Sequence, residues 1–282
     1  MRYTLPIIAL AATALTGAAA IGATQMGANE ADLKAAVAAP SRTPANLARD
    51  QYRRPAETLA FFGVKPTDTV VELWPGGGWY TEILAPYLRK GRGTLYAAAP
   101  WPDGVKGVQN LRQKDSVTYG EVTYAAFPHW GGDAPKIRDN TVDVVLTFRN
   151  VHNWRMGYME EDKADYSANA FKQIFAMLKP GGTLGIVDHR LPESADAERE
   201  KTSGYIKVST VKKLAADAGF RLVAESEINA NPKDTADWPN GVWTLPPNYR
   251  LKDVDRAKYQ AIGESDRMTL KFQKPGSSAQ GG

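Results

Sequence analysis

Two short runs in this sequence gather side chains able to move protons or hold polar ligands. Thr147-Phe148-Arg149-Asn150-Val151-His152-Asn153-Trp154 follows an apolar stretch and brings a guanidinium, two amides, an imidazole and an indole together. Polar groups at this density are costly to bury without a partner, so the run reads as a pocket wall. Val187-Asp188-His189-Arg190 closes a second apolar stretch. Imidazoles titrate near neutrality, which makes His152 and His189 the candidates to take a proton from an oxygen or nitrogen nucleophile, with Asn150 beside them. Either histidine could equally be a structural partner of Asp188. Arg149, Asn153, Trp154 and Asp188 are expected to contact substrate. His152, Asp188 and His189 also suit a divalent metal by type, but nothing in the sequence fixes a geometry, and no metal is assigned.

A third run, Val70-Val71-Glu72-Leu73-Trp74-Pro75-Gly76-Gly77-Gly78-Trp79-Tyr80, places glycines between a strand and a helix, where a ligand can approach the backbone. A phosphate-binding loop would need Gly-Lys-Ser/Thr, and none follows. A dinucleotide fingerprint would want a third Gly at Thr81 and an acid closing the next strand, where Ala97-Ala98-Ala99-Pro100 stands instead. An acid at the end of the first strand and then a Gly-rich loop is the order typical of S-adenosylmethionine sites, whose ligand has no phosphate.

The elements that must position these runs alternate. Pro55 opens a short helix that Gly63 closes, and Thr69–Leu73 is a buried strand. Tyr80, Ile83, Leu84, Tyr87 and Leu88 share a helix face, shortened or kinked by Pro86. Thr94–Ala98, Ser116–Tyr124, Val142–Phe148 and Thr183–Val187 read as strands, with a helix over Ala164–Leu178 closed by Lys179-Pro180-Gly181-Gly182. Val208–Ala218 is a helix ended by Gly219, and Phe220–Glu227 and Met268–Gln273 are late strands. The pattern predicts an α/β fold: a doubly wound, mostly parallel sheet covered by helices on both faces. Between the late strands lies the long segment 229–264, carrying Trp238, Trp243 and Tyr249, which argue against disorder. It is expected to form a lid over the pocket, with Trp238 and Trp243 contacting substrate.

The glycine run resembles motif I of class I S-adenosylmethionine-dependent methyltransferases, E/D-x-G-x-G-x-G: Glu72, Gly76 and Gly78 match, and Trp74 stands where the first Gly belongs. Leu178-Lys179-Pro180-Gly181-Gly182 before a strand and Ala218-Gly219-Phe220 before another resemble two further landmarks of that superfamily. The chain is similar, from about Pro55 to Pro275, to bacterial exported predicted methyltransferases with a W-P-G-G-G-W-Y loop. The resemblance implies a Rossmann-like seven-stranded sheet with an antiparallel last strand. It also implies S-adenosylmethionine as cofactor, backed by Gly76, Gly77 and Gly78, fixed at its polar end by Glu72, and faced by Trp79 and Tyr80. Gly132-Asp133-Ala134 resembles the adenine-contacting segment, which adds Asp133. The run after Phe148 falls on the methyl-acceptor side.

The chain has 282 residues, 43% of them hydrophobic, enough for a sizeable core. It has no Cys, which excludes disulfides and Cys-zinc sites, and its formal charge of +4 includes no long basic run that would bind nucleic acid. No charged residue lies between Arg2 and Glu30, and Ala18-Ala19-Ala20 offers a cleavage pattern. Residues 1–23 are therefore expected to be a signal peptide for periplasmic or secreted delivery, leaving no stable membrane span after cleavage. A linker over 24–45, a methyltransferase-like domain over 46–275 and a flexible tail over 276–282 complete the expected organisation. The expected activity is methyl transfer to a small-molecule or cell-envelope acceptor; the alternative is a non-catalytic periplasmic ligand-binding protein on the same scaffold.

Overall fold

The computed structural model describes residues 29–276, so the leader, the first part of the linker and most of the tail lie outside the described residues. Strands β1 (Thr69–Leu73), β2 (Thr94–Ala99), β3 (Thr123–Ala126), β4 (Val142–Phe148) and β5 (Leu178–Leu191) are mutually parallel. A two-residue strand, β6 (Ile206–Lys207), extends the far end of β5. β7 (Arg221–Ser226) and β8 (Arg267–Gln273) complete the sheet in the order β3-β2-β1-β4-β5-β8-β7, with β8 antiparallel to both neighbours. The fold is thus the Rossmann-like, mostly parallel sheet expected, with its antiparallel strand inserted between β5 and β7.

Alternation within the strands assigns the two faces. Val71, Leu73, Val145, Leu184 and Ile186 join one core with α5 (Ser167–Met177) and α6 (Val208–Asp217). Val70, Val144, Leu146 and Val187 join another with α1 (Pro55–Phe62) and α2 (Thr81–Gly91). Because both faces are covered, the parallel strands carry unbroken apolar runs such as Val70-Val71 and Val144-Val145-Leu146, as this layering demands.

Several local expectations are corrected. Ser116–Tyr119 is a helical turn, and β3 starts only at Thr123. α2 continues through Pro86 to Gly91, its Ile83, Leu84, Tyr87 and Leu88 buried against the sheet. Leu178 pairs with Val142 and Thr183 with Val144, so 179–182 loop out of β5 rather than simply ending α5. Residues 29–37, read as linker, are helical, and Leu33 and Ala36 are buried in the second core. Two helical turns, Pro44–Leu47 and Asp50–Arg53, then lead along the sheet's carboxyl edge. Among the described residues, no helix is long and apolar enough to cross a membrane.

Candidate functional site

The parallel strands all deliver their carboxyl ends to one edge, and there the chain bends sharply twice. Trp74 after β1 and Arg149 after β4 have φ of 50° and 66°, left-handed values that L side chains adopt only at a cost of about 1–2 kcal/mol. Strain of that kind gathers where a binding site needs it. Behind Trp74 the glycine loop turns through Gly76 (φ 57°) and Gly78 (φ 85°) into α2. A Cβ on Gly76 or Gly77 would meet nothing within 4 Å, so both present bare backbone to open space. Gly78 differs: its Cβ would come within 2.4 Å of Leu111 Cδ1, and its bareness serves packing on α3 (Lys106–Lys114) rather than a ligand. Gly107, a residue the sequence did not flag, lets α3 approach so closely that a Cβ there would lie 2.0 Å from the Gly76 carbonyl oxygen.

Over this edge lies a cavity of about 370 Å³, walled by Gly76, Gly77, Trp79, Arg149, His152 and His189 among others. Trp243, Pro246, Pro247 and Asn248 roof it, and Asn46, Arg49 and Arg53 close one side. Asp188, wholly buried at the end of β5, accepts from His152 Nδ1 at 2.7 Å and from the backbone N–H of His152 and His189 at 3.1 and 2.7 Å. With Nδ1–H held by a carboxylate, His152 keeps the Nε2 lone pair, which no described residue engages: an oriented base. The His189 ring lies 5.0 Å from that of His152 and bonds Ser265 through Nδ1. Burial, then His152 and the positive Arg149, Arg267 and Arg53 nearby, push the His189 imidazole well below its usual range, so it stays uncharged near neutrality. His152, Asp188 and His189 place a ligand atom each within 4.8 Å of one another. The arginines beside His189 also oppose a divalent cation there, and no metal role is assigned.

Of the arginines and the carboxylate that line the cavity, the sequence singled out Arg149 alone. Arg49, Arg53 and Arg149 line it against a single carboxylate, Glu264. Glu264 accepts from Arg49 Nε at 2.7 Å and Arg53 Nε at 3.0 Å and forms an ion pair with Arg267 at 3.2 Å. Burial alone would raise this carboxyl, yet Arg267, Arg53, Arg49 and Arg149 together hold it down to about 2. Arg49 and Arg53 lie at the start of the expected domain, ahead of the resemblance that begins near Pro55, and their i, i+4 spacing was the available signal.

The remaining sequence candidates separate into those at the cavity and those away from it. Arg149, Asn150, His152, Asn153, His189, Gly76, Gly77, Trp79 and Trp243 line it. Asn150 is also a brace, its amide donating to the Leu73 carbonyl and Thr147 Oγ1 and so tying β1 to β4. Asp188 lies beneath the histidines, where it acts on them and not on a substrate. Trp154 is fully buried among Phe127, Phe171 and Trp74, because α4 (Val151–Arg155) turns it inward; it is core, not substrate contact. Tyr80 stacks on Phe148 at 3.5 Å within the core. Trp238 turns away from the cavity, packing on Tyr259 and donating to Asp234. Asp133 is exposed and lines no cavity beside Trp74.

Glu72 is corrected most sharply. Its carboxylate is buried under the glycine loop and accepts from Thr81 Oγ1 at 2.6 Å, pinning the start of α2 to β1 instead of facing a ligand. Burial raises its pKa to about 7 against the smaller opposing effect of Thr81. The folded state thus favours the protonated acid, and this contribution is present below the unfolded value near 4.5 and lost as pH rises through about 7. Glu72→Gln, which keeps an acceptor for Thr81, is expected to raise Tm by about 5 °C at pH 8 and leave it nearly unchanged at pH 4.5. Calorimetric melts at the two pH values would show this; equal shifts at both would mean that Glu72 is ionised without cost.

A second cavity, about 360 Å³, opens at the ends of β2 and β3 between Pro100, Trp101, Ala126, Pro128, Trp130 and Tyr166. Trp74 is a wall of both cavities. Its indole N–H donates to the Phe127 carbonyl at 2.9 Å, which holds the ring between them.

No family model matches this chain, and no curated protein matches it. Solved structures do. A SAM-dependent methyltransferase from Aquifex aeolicus is similar at a TM-score of 0.53 and 17% identity, over 80% of this chain and 92% of that one. The [4+2]-cyclase SpnF is similar at 0.53 and 13% identity, over 79% of this chain and 82% of that one. The protein therefore has the class I methyltransferase fold. Since that fold also serves a protein named as a cyclase, the chemistry must be argued from the site.

Proposed function

We propose that the chain transfers a methyl group from S-adenosylmethionine to an oxygen or nitrogen atom of a small-molecule or cell-envelope acceptor. The observation that carries this reading is the bare backbone of Gly76 and Gly77, open to the same cavity that His152 faces with Asp188 behind it. Two features fit the cofactor: the glycine turn beneath the polar cavity, and the aromatic cavity beyond Trp74, whose walls suit a planar base. β2 ends in Ala97-Ala98-Ala99-Pro100, so ribose contacts cannot come from an acid there. When bound, the cofactor would supply a methyl group activated by a sulfonium.

The rest falls to the chain's own residues. Gly76 and Gly77 allow close approach, and the segment from Val242 to Asn248 covers part of the cavity, which limits water around the reacting groups and strengthens polar interactions within. Trp79 already faces the guanidiniums of Arg42 and Arg53 at 5.0 and 4.6 Å, leaving Trp74 as the indole available to a ligand cation. His152 Nε2 takes the acceptor's proton, and Asp188 stabilises the imidazolium that results. In-line positioning does the larger part of the work.

Trp74 also favours a second reading. A ring fixed between the two cavities would confine a ligand to the polar one, as in a binding protein without methyl transfer. On the leader at 1–23 we place either activity outside the cytosol, with a mature chain beginning near Ile21 or Thr24; recovering an intact Met1 on membrane-bound protein would contradict this.

The two readings separate when the purified protein is denatured and its supernatant analysed by mass spectrometry. S-adenosylmethionine or S-adenosylhomocysteine is expected with the wild type and absent from Gly76→Val, whose side chain enters the open space above the loop. A different small molecule, retained by Gly76→Val, would favour the binding protein.

A further inference from the structure

The cavity's arginines are arranged for a ligand that the protein itself does not provide. Arg53 is 1% exposed, and its Nη1 and Nη2 have no hydrogen-bond partner; the same holds for Arg49 Nη2. Only their Nε groups are used, on Glu264, so the outer ends of both guanidiniums are left over. Arg149, across the cavity on the strained turn after β4, makes no ion pair or side-chain hydrogen bond with any described residue. A fully buried guanidinium with two idle donors is costly to keep unless something meets it. Glu264 cannot, being already shared among Arg49, Arg53 and Arg267.

Alternative uses of these groups fail on the same geometry. A divalent cation between His152 and His189 would add positive charge beside three guanidiniums, and the carboxylate there, Asp188, already accepts from His152 Nδ1 and two backbone N–H groups. The indole of Trp79 covers one face of Arg53 but offers its edge donors nothing. What suits planar forks with free N–H groups is an oxyanion, which can accept two parallel bonds from each.

We infer that the cavity binds an anionic group, a carboxylate or a phosphate monoester, between Arg53 and Arg149, and that this group belongs to the methyl acceptor. The second half rests on the proposed methyl transfer; the first does not. An acceptor held there has its anion on the arginine side and its nucleophile toward His152, all within one cavity of about 370 Å³. The positive field also neutralises an anionic acceptor as the roof excludes water, which a neutral acceptor would leave unbalanced.

The chemistry has a second source, because S-adenosylmethionine carries a carboxylate of its own. Thermal shift and calorimetry with inorganic phosphate and with succinate, each with and without saturating S-adenosylhomocysteine, distinguish the two. The expected result is binding of both anions at millimolar concentration or tighter, weakened by added sodium chloride and undiminished by S-adenosylhomocysteine. Arg53→Met is expected to weaken it at least tenfold. Since Arg53 also packs on Trp79 and pairs with Glu264, Arg149→Asn provides a variant that breaks no side-chain hydrogen bond or ion pair, and asparagine tolerates the left-handed backbone there. It too should lose at least tenfold while melting as the wild type does. Competition between phosphate and S-adenosylhomocysteine would give the arginines to the cofactor and overturn the acceptor assignment. Anion binding with no S-adenosylhomocysteine binding would overturn methyl transfer but keep the anion site. Failure of both anions to bind, or binding that survives in both variants, would overturn the site itself.

Discussion

Asp188→Asn is expected to lower methyl transfer by about 10²–10⁴-fold while leaving the affinity for S-adenosylhomocysteine unchanged. The carboxylate accepts three hydrogen bonds, from His152 Nδ1 and from the backbone N–H groups of His152 and His189. An amide in its place must turn either its oxygen or its NH₂ toward the imidazole. With the NH₂ there, Nδ1 becomes the acceptor and the ring proton moves to Nε2, so the atom facing the cavity donates where it should accept. His152→Asn should cost about as much, and the double variant little more than either alone, because the two residues act as one unit. Labelled methyl incorporated from S-adenosylmethionine into the anionic fraction of an envelope extract gives the rate. A variant within twofold of the wild type would make the pair a structural one, with positioning alone driving transfer.

The second large effect lies in the roof. Deleting 232–247 is expected to abolish the cooperative melting transition, although in sequence this segment reads as a lid separable from the domain. It carries buried Ala236, Val242, Thr244 and Leu245, and Ala236 and Val242 pack with Leu191 and Tyr205 into a small core beside β5. One carboxylate locks it down: Asp234 accepts from Tyr205 Oη at 3.0 Å, Trp238 Nε1 at 2.7 Å, and the backbone N–H of Ala236 and Asp266 at 2.9 and 2.8 Å. Asp234→Ala is the milder test. Buried donors left without acceptors cost about 1–3 kcal/mol each, and even partial recovery by water leaves a fall in Tm of about 10 °C. A melt within 2 °C or so of the wild type would restore the lid as an independently moving flap.

The sheet was legible in the sequence because β1, β4 and β5 each carry an apolar run, Val70-Val71, Val144-Val145-Leu146 and Leu184–Val187, as strands covered on both faces must. The histidines and Asp188 were legible for a related reason: they close two such strands, and parallel neighbours deliver their ends to the same edge. What failed was side-chain direction within short turns. Trp154 stands two residues beyond His152, and that step on a helical turn separates a core indole from a cavity imidazole. Glu72 precedes the loop in the register of motif I, yet pairing with Thr81 turns it beneath the loop. The arginines were hidden for a longer-range reason. At the cavity Arg49 and Arg53 are held by Glu264, more than two hundred residues later. A pairing of that separation has no local signature. Gly107 is likewise visible only once α3 is seen against the Gly76 carbonyl.

The central claim is that the turn at Gly76 and Gly77, with the cavities on either side of Trp74, holds S-adenosylmethionine. Calorimetric titration of the folded protein with S-adenosylhomocysteine tests it without knowledge of the acceptor. One site per chain with micromolar affinity is expected, with a rise in Tm that grows with ligand concentration and loss of both in Gly76→Val. A flat titration at millimolar ligand, in protein whose melting transition is intact, would contradict it.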